Sequence, residues 1–270
     1  MPPFTRRQVI VIAHRGASAE APENTKAAIL KALAWHVDII EVDVQLTRDQ
    51  RLVIFHDERL ERTTSGRGRL ARWRYRELVR LDGGSWFSPR FANERILLAS
   101  QALRLVPPPY RLNLELKRTS RAAVLVEAMV RCLRWTRRLR QVLISSFDVT
   151  LLRRLHAQAP RVATAVLCAR NPRRAIAQAT RLGCVAVHLH KTLVSAPVVR
   201  RAHEAGLRVH VWTVDRAQEA RRLARMGVDG IFTNVPAQIQ PVSGRPRGLF
   251  SRPKAEKTAG GRMEARGLPA

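Results

Sequence analysis

The feature that most constrains this chain is a rhythm of short apolar runs separated by longer amphipathic stretches. The runs are Val9 to Ala13, Ile39 to Val44, Leu112 to Leu116, Val142 to Ser145, Val162 to Leu167, Val185 to Leu189, Arg208 to Val211 and Gly230 to Phe232. Each is too short for a helix of ordinary length and has the composition of a strand buried on both faces. Between them, Thr25 to Trp35, Ala122 to Trp135, Val149 to Gln158, Pro172 to Leu182, Pro197 to Ala205 and Arg216 to Met226 carry helical periodicity. Gly183, Gly206 and Gly227 each stand between such a stretch and the next run, where a left-handed helix end is wanted. Eight strand-helix units within about 240 residues fit a closed (β/α)8 barrel, the TIM-barrel form of the α/β class, better than an open sheet.

One unit is irregular. The second and third runs are about 65 residues apart, and the excursion holds an extra strand at Leu52 to Phe55, a turn at Ser65 to Gly68 and GGSWFSP at residues 83–89. The expected organisation is one barrel domain, residues 1–240, with a small insertion at about 47–110, followed by a disordered basic tail at 241–270 rich in Gly, Pro, Arg and Lys. No apolar stretch approaches the roughly 18 residues of a spanning helix, and the three scattered cysteines, Cys132, Cys168 and Cys184, read as reduced thiols. A cytoplasmic protein is expected. The net charge of +28 points toward anionic partners. Yet arginines recur on the polar face of one helix after another, as at Arg153 and Arg154 or Arg221 and Arg222, so most of the charge is solvated surface. Weak contact with an anionic membrane through that surface and the tail is compatible with this distribution; a specific nucleic-acid partner is not expected, and no oligomeric state is indicated.

Barrel active sites lie where strands end. Here the ends are polar: His14-Arg15, Glu41-Val42-Asp43, His56-Asp57 at the extra strand, and Glu115-Leu116-Lys117. Alternation turns Glu41 and Asp43 to one side, and Glu115 and Lys117 likewise, with Val42 and Leu116 facing the helices. Three converging carboxylates repel one another unless cations lie among them. Either a hard divalent ion with oxygen ligands or an ion-pair network with Arg15 and Lys117 answers that need. His14 and His56 have the chemistry of an acid and a base, and Arg15 and Lys117 that of contacts to an anionic oxygen. Together they suggest hydrolysis of a phosphate ester.

IAHRGASAEAPENT, EVDVQLTRDQRLVIFHDERLERTTSGRG, LDGGSWFSPRF, LNLELK, SSF at residues 145–147, VWTVD and GVDGIFTN resemble the glycerophosphodiester phosphodiesterase family across residues 8 to about 235. The short excursion, LLASQ at residues 97–101 and RLGCVAVHLH resemble its bacterial cytosolic branch. The resemblance implies Glu41, Asp43 and Glu115 as ligands of one divalent metal, Mg2+ or Ca2+, His14 and His56 as general acid and base, and Arg15 and Lys117 as phosphate contacts. It implies small-molecule substrates such as glycerophosphocholine and glycerophosphoethanolamine, cleaved to sn-glycerol 3-phosphate and an alcohol, with the glycerol 2-hydroxyl as a first nucleophile.

Around these positions, Asn24 is expected to cap the first helix and Glu23 to orient a group at the site. Phe147 is expected as a pocket wall, and Trp212 either stacks on the glycerol or closes the barrel. His188 and His190 are expected to line the barrel structurally, Asp57 to orient a loop, and His36, His156, His203 and His210 to be surface or packing residues. Two other functions remain open: a lysophospholipase D acting on lipid-bearing diesters at an anionic membrane, and a non-catalytic anion-binding protein.

Overall fold

Parallel pairing runs without a break around eight of the nine strands in the computed structural model, which describes residues 9–239. The strands are β1 (Ile10–Ala13), β2 (Ile39–Leu46), β3 (Leu52–Ile54), β4 (Arg111–Leu116), β5 (Val142–Ser146), β6 (Ala163–Cys168), β7 (Ala186–His190), β8 (Arg208–Trp212) and β9 (Gly230–Thr233). β1 pairs with both β2 and β9, which closes the barrel, while β3 lies antiparallel on β2 outside the ring. The expected TIM barrel is therefore present. The tail at 241–270 lies outside the described residues.

The helices are α1 (Lys26–Ala34), α2 (Tyr75–Leu78), α3 (Ala99–Leu105), α4 (Ala122–Trp135), α5 (Val149–Gln158), α6 (Pro172–Arg181), α7 (Ala196–Glu204), α8 (Ala217–Arg225) and α9 (Pro236–Ile239). Local chemistry sets several of their starts. Asp148 accepts the Thr150 backbone N–H at 2.9 Å ahead of α5, and Asn171 accepts that of Arg174 at 3.0 Å ahead of α6. The three glycines that close α6, α7 and α8 have positive φ, as expected. Thr25, not Asn24, caps α1, its Oγ1 accepting the Ala28 N–H at 3.3 Å.

The excursion divides in two. Its first part has a small core of its own, built on Val53, Phe55, Leu60, Leu70, Leu78 and Ile96. Its last part returns to the barrel, because α3 packs on α1 and α4 and supplies the second unit's outer helix. The main core lies between the strands and the helices, with Val42, Leu114, Leu116, Ile144, Val187 and Val209 facing outward into it. Inside the barrel, Ile12, Ile39 and Phe232 form one apolar group and Leu143, Ala165 and Ala186 another. A cavity of about 640 Å³ opens at the N-terminal end; the polar strand ends lie at the other.

Candidate active site

Glu41 and Asp43 on β2 and Glu115 on β4 face the barrel interior in register, Asp43 opposite Glu115. One oxygen from each lies within 4.8 Å of the others. Both cations predicted for the site are among them. Lys117 Nζ donates to Glu115 at 2.7 Å and to Asp43 at 3.2 Å, and Arg15 Nε lies 3.4 Å from Asp43. The ion pairs thus exist, but they are unevenly shared. Glu41 receives only the Arg15 backbone N–H, at 2.8 Å on Oε2, and its buried Oε1 has no hydrogen-bond partner. Burial, then Asp43 and Glu115, push the Glu41 carboxyl well above its ordinary range, and burial with Asp43 raises Glu115 to about 7. Asp43, though buried, is held down to about 2 by Lys117 and Arg15. Two buried carboxylates and a half-buried one against two cations leave a deficit of positive charge and an orphaned oxygen, which a hard oxygen-seeking cation would complete. The donor set fits such an ion.

The loop after β1 is bent tightly to bring Arg15 here. Arg15 and Gly16 both have positive φ, and a Cβ on Gly16 would lie 2.6 Å from the Ala28 backbone carbon in α1. A side chain there would push the loop off the helix. Asn24, at φ 62°, does not cap; its Nδ2 donates to Asp43 at 2.9 Å and its Oδ1 accepts the Asp43 N–H at 3.1 Å. A cap and a carboxylate clamp both suit asparagine, and only the backbone conformation distinguishes them.

The two histidines approach from different elements. His14 Nδ1 lies 2.8 Å from Asn234 Oδ1, and Asn234 Nδ2 donates to Asp215 at 2.7 Å, which fixes the amide with its oxygen toward the imidazole. His14 therefore carries its proton on Nδ1 and leaves Nε2 as the basic atom. Burial, then Arg15, lower its pKa to about 4. His56 Nδ1 donates to Asp57 at 2.6 Å. Its pKa is lowered by burial, while Asp43 and the Asp57 contact pull the other way.

A residue not singled out in the sequence ties the two sides together. Arg62 donates to Asp57 through Nε at 2.5 Å and to both Glu23 oxygens at 2.7 and 2.8 Å, and Glu23 in turn accepts Arg15 Nη1 at 2.8 Å. Glu23 lies against Arg15, and Asp57 bonds a histidine as well as its loop. Arg62, Asn234 and Asp215 lie in ERTT, FTN and VWTVD, so the motifs contained them. Asn113, buried below Glu115, donates to Ser145 Oγ at 3.0 Å.

Phe147 and Trp212 form a contact of their own. Their rings meet edge to face at 5.7 Å, and Trp212 also packs on the Ile12, Ile39 and Phe232 group. His210 is not at the surface: it lies inside the barrel with Nδ1 3.2 Å from His188 Nε2. Among the described residues no helix is long and apolar enough to cross a membrane.

A barrel whose mouth carries two imidazoles, a carboxylate cluster and fixed cations has the groups that a hydrolase of phosphoric diesters needs. More particularly, residues 14–238 match the glycerophosphoryl diester phosphodiesterase family, and the chain belongs to it. It is 33% identical over 237 residues to the glycerophosphodiester phosphodiesterase of Caldanaerobacter subterraneus subsp. tengcongensis, covering 86% of this chain and 96% of that one. The glycerophosphodiester phosphodiesterase of Bacillus altitudinis is 32% identical over 231 residues, covering 84% and 94%. Among solved structures, an Oleispira antarctica phosphodiesterase in complex with the product sn-glycerol-3-phosphate superposes with a TM-score of 0.81 at 31% identity, covering 86% of this chain and 96% of that one.

Proposed function

We propose that this enzyme hydrolyses glycerophosphodiesters such as glycerophosphocholine and glycerophosphoethanolamine to sn-glycerol 3-phosphate and an alcohol, with one divalent ion, Mg2+ or Ca2+, held by Glu41, Asp43 and Glu115. The observation that carries this reading is two imidazoles, each with Nδ1 engaged and Nε2 available, beside three carboxylates of which one oxygen is unpartnered. The active unit is residues 1–240, with the segment at about 47–110 contributing His56 to the mouth. A cytoplasmic setting suits its three free thiols.

Arg15 and Lys117 bind the diester's phosphoryl oxygens. When bound, the divalent ion would add Lewis-acid polarisation of one of those oxygens. His14, neutral and basic at Nε2, takes the proton of the glycerol 2-hydroxyl as that oxygen attacks phosphorus. His56, whose Nδ1–H is held by a carboxylate, tolerates protonation better and gives its proton to the departing alcohol. Water then opens the cyclic phosphate with the two histidines exchanging roles. Phe147 and Trp212 wall the side where the diester enters, and Glu23 positions Arg15.

The test is release of glycerol 3-phosphate from glycerophosphocholine and glycerophosphoethanolamine, with chelator and then with Mg2+ or Ca2+ restored. Metal-restored release is expected. Release undiminished by chelator would refute the metal assignment. Cleavage of lysophosphatidylcholine in preference to either would replace the substrate class with the lysophospholipase D reading, and no turnover of any diester by folded protein would leave anion binding as the function.

A further inference from the structure

The positive charge at the mouth is unevenly committed. On the side of the excursion, Arg62 is engaged by Glu23 and Asp57. On the side of β4, β5 and β6, Lys117 is engaged by Glu115 and Asp43, but a set of arginines beyond it has no partner among the described residues. Two adjoining grooves, about 570 and 330 Å³, share Phe147 and Arg174 and are lined by Arg118 and Arg153 in one and by Arg170 in the other. All four arginines are exposed, and among the described residues none of their side chains makes a hydrogen bond or ion pair. The one acid in the grooves, Asp148, has Oδ1 occupied by the Thr150 amide at the start of α5. The grooves lie at the rim on the C-terminal side of the barrel: their lining includes Arg118, next in the chain to Lys117, and Phe147, which follows β5, the strand whose Ser145 is in register with Glu115.

Resting on the phosphodiesterase reading of the site, we propose that the leaving alcohol lies along these grooves and that the enzyme prefers glycerophosphodiesters whose alcohol carries a second anionic group. Arginine forks bind phosphate and carboxylate oxygens in pairs. A cationic alcohol such as choline meets like charge on this side, and a neutral one gains nothing from it. Because the arginines are solvated, each contact is modest and screened by salt.

The test uses the intact enzyme and three diesters: glycerophosphoinositol 4-phosphate, glycerophosphoinositol and glycerophosphocholine. The first two differ only by the second anion. At about 20 mM KCl, kcat/KM is expected to favour the 4-phosphate over glycerophosphoinositol about tenfold, the equivalent of about 1.4 kcal/mol, and the ratio is expected to shrink at about 300 mM. In the Arg153→Ala/Arg174→Ala double variant the ratio should fall to about twofold or less at low salt, whereas the Arg153→Lys/Arg174→Lys pair should keep part of it. A ratio near one in the unmodified enzyme, or a preference that the alanine pair leaves intact, overturns the inference. Turnover of all three diesters with equal efficiency refutes it while sparing the phosphodiesterase reading; turnover of none by folded protein refutes both.

Discussion

Replacing Asp57 by Asn tests whether the pairing of His56 with its neighbour serves the reaction or only the loop. Asp57 Oδ1 accepts His56 Nδ1 at 2.6 Å and Arg62 Nη2 at 3.1 Å, while Oδ2 accepts Arg62 Nε at 2.5 Å. Asparagine has one oxygen for these donors, so its NH2 must face either Arg62 or His56 and oppose an N–H. Bonds to charged groups contribute about 1.5–3 kcal/mol, but His56 and Asp57 are about a quarter to a third exposed, which discounts the loss to about 1–2 kcal/mol. The expected fall in kcat/KM is thus about 5- to 30-fold. A second readout follows from the sign of the charge effect. Asp57 raises the His56 pKa, so its removal lowers that pKa, and the alkaline limb, where the acid loses its proton, moves to lower pH. The assay is a pH profile of glycerol 3-phosphate release, with a thermal melt to establish that the variant folds. An unchanged alkaline limb with kcat/KM within about twofold would refute the argument.

His14→Ala and His56→Ala should each lower turnover at least about a hundredfold, and a variant that retains most of its rate removes that histidine from the acid-base scheme. Glu41→Gln removes the buried carboxylate with the orphaned oxygen. With chelator its melting temperature should equal or exceed that of the unmodified protein, and both stabilisation and activation by Mg2+ or Ca2+ should disappear; a lower melting temperature in chelator would favour a purely structural ion-pair network. The buried His210 has its pKa lowered to about 4 by burial, so its contribution to stability is present above the unfolded value of 6.5 and is lost as pH falls toward 4. Between pH 7 and pH 5 it should cost about 2 kcal/mol, and urea unfolding of His210→Phe at the two pH values should recover most of that difference. An equal loss in the variant would assign the acid sensitivity to other groups.

The barrel was legible because a parallel strand covered on both sides must be written as an unbroken apolar run, and helix starts such as Asp148 and Asn171 carry local capping chemistry. α3 was obscured because it is only seven residues long and follows an excursion with its own small core, so its apolar face merges with that of the insert. At the site, Glu41, Asp43, Glu115 and Lys117 could be grouped from strand alternation alone. Arg62 could not: it is one of 49 basic residues, and its value lies in reaching Glu23, 39 residues away. The Asn234 contact spans 220 residues, and no periodicity signals a bond of that kind. Asn24 and Thr25 are both competent caps, and the choice between them was made by a positive φ that packing imposes.

Alternation also explains how one set of strands serves both folding and chemistry. The inward positions of β2, read toward the mouth, are Ile39, Glu41 and Asp43; those of β7 are Ala186, His188 and His190, and those of β8 are Arg208, His210 and Trp212. Past the N-terminal opening, where Arg208 is exposed, the innermost polar groups of β7 and β8 are two imidazoles in contact, which burial keeps neutral even though Asp229 favours the charged form of His210. Carboxylates enter where the Arg15 amide, Lys117 and Asn24 reach them, and the two histidines of the site, His14 and His56, come last, at the strand end or on a loop. Groups on strands inherit rigidity from the sheet, but His56 lies beyond the antiparallel β3 and outside the ring. Its placement depends on the Asp57, Arg62, Glu23 and Arg15 chain, whose outer link, Arg62, is exposed, so that this link adds little to global stability. Loss of a link in that chain should therefore appear in kcat far more than in the melting temperature, whereas loss of an inward apolar residue near the N-terminal opening, such as Leu143, should do the reverse.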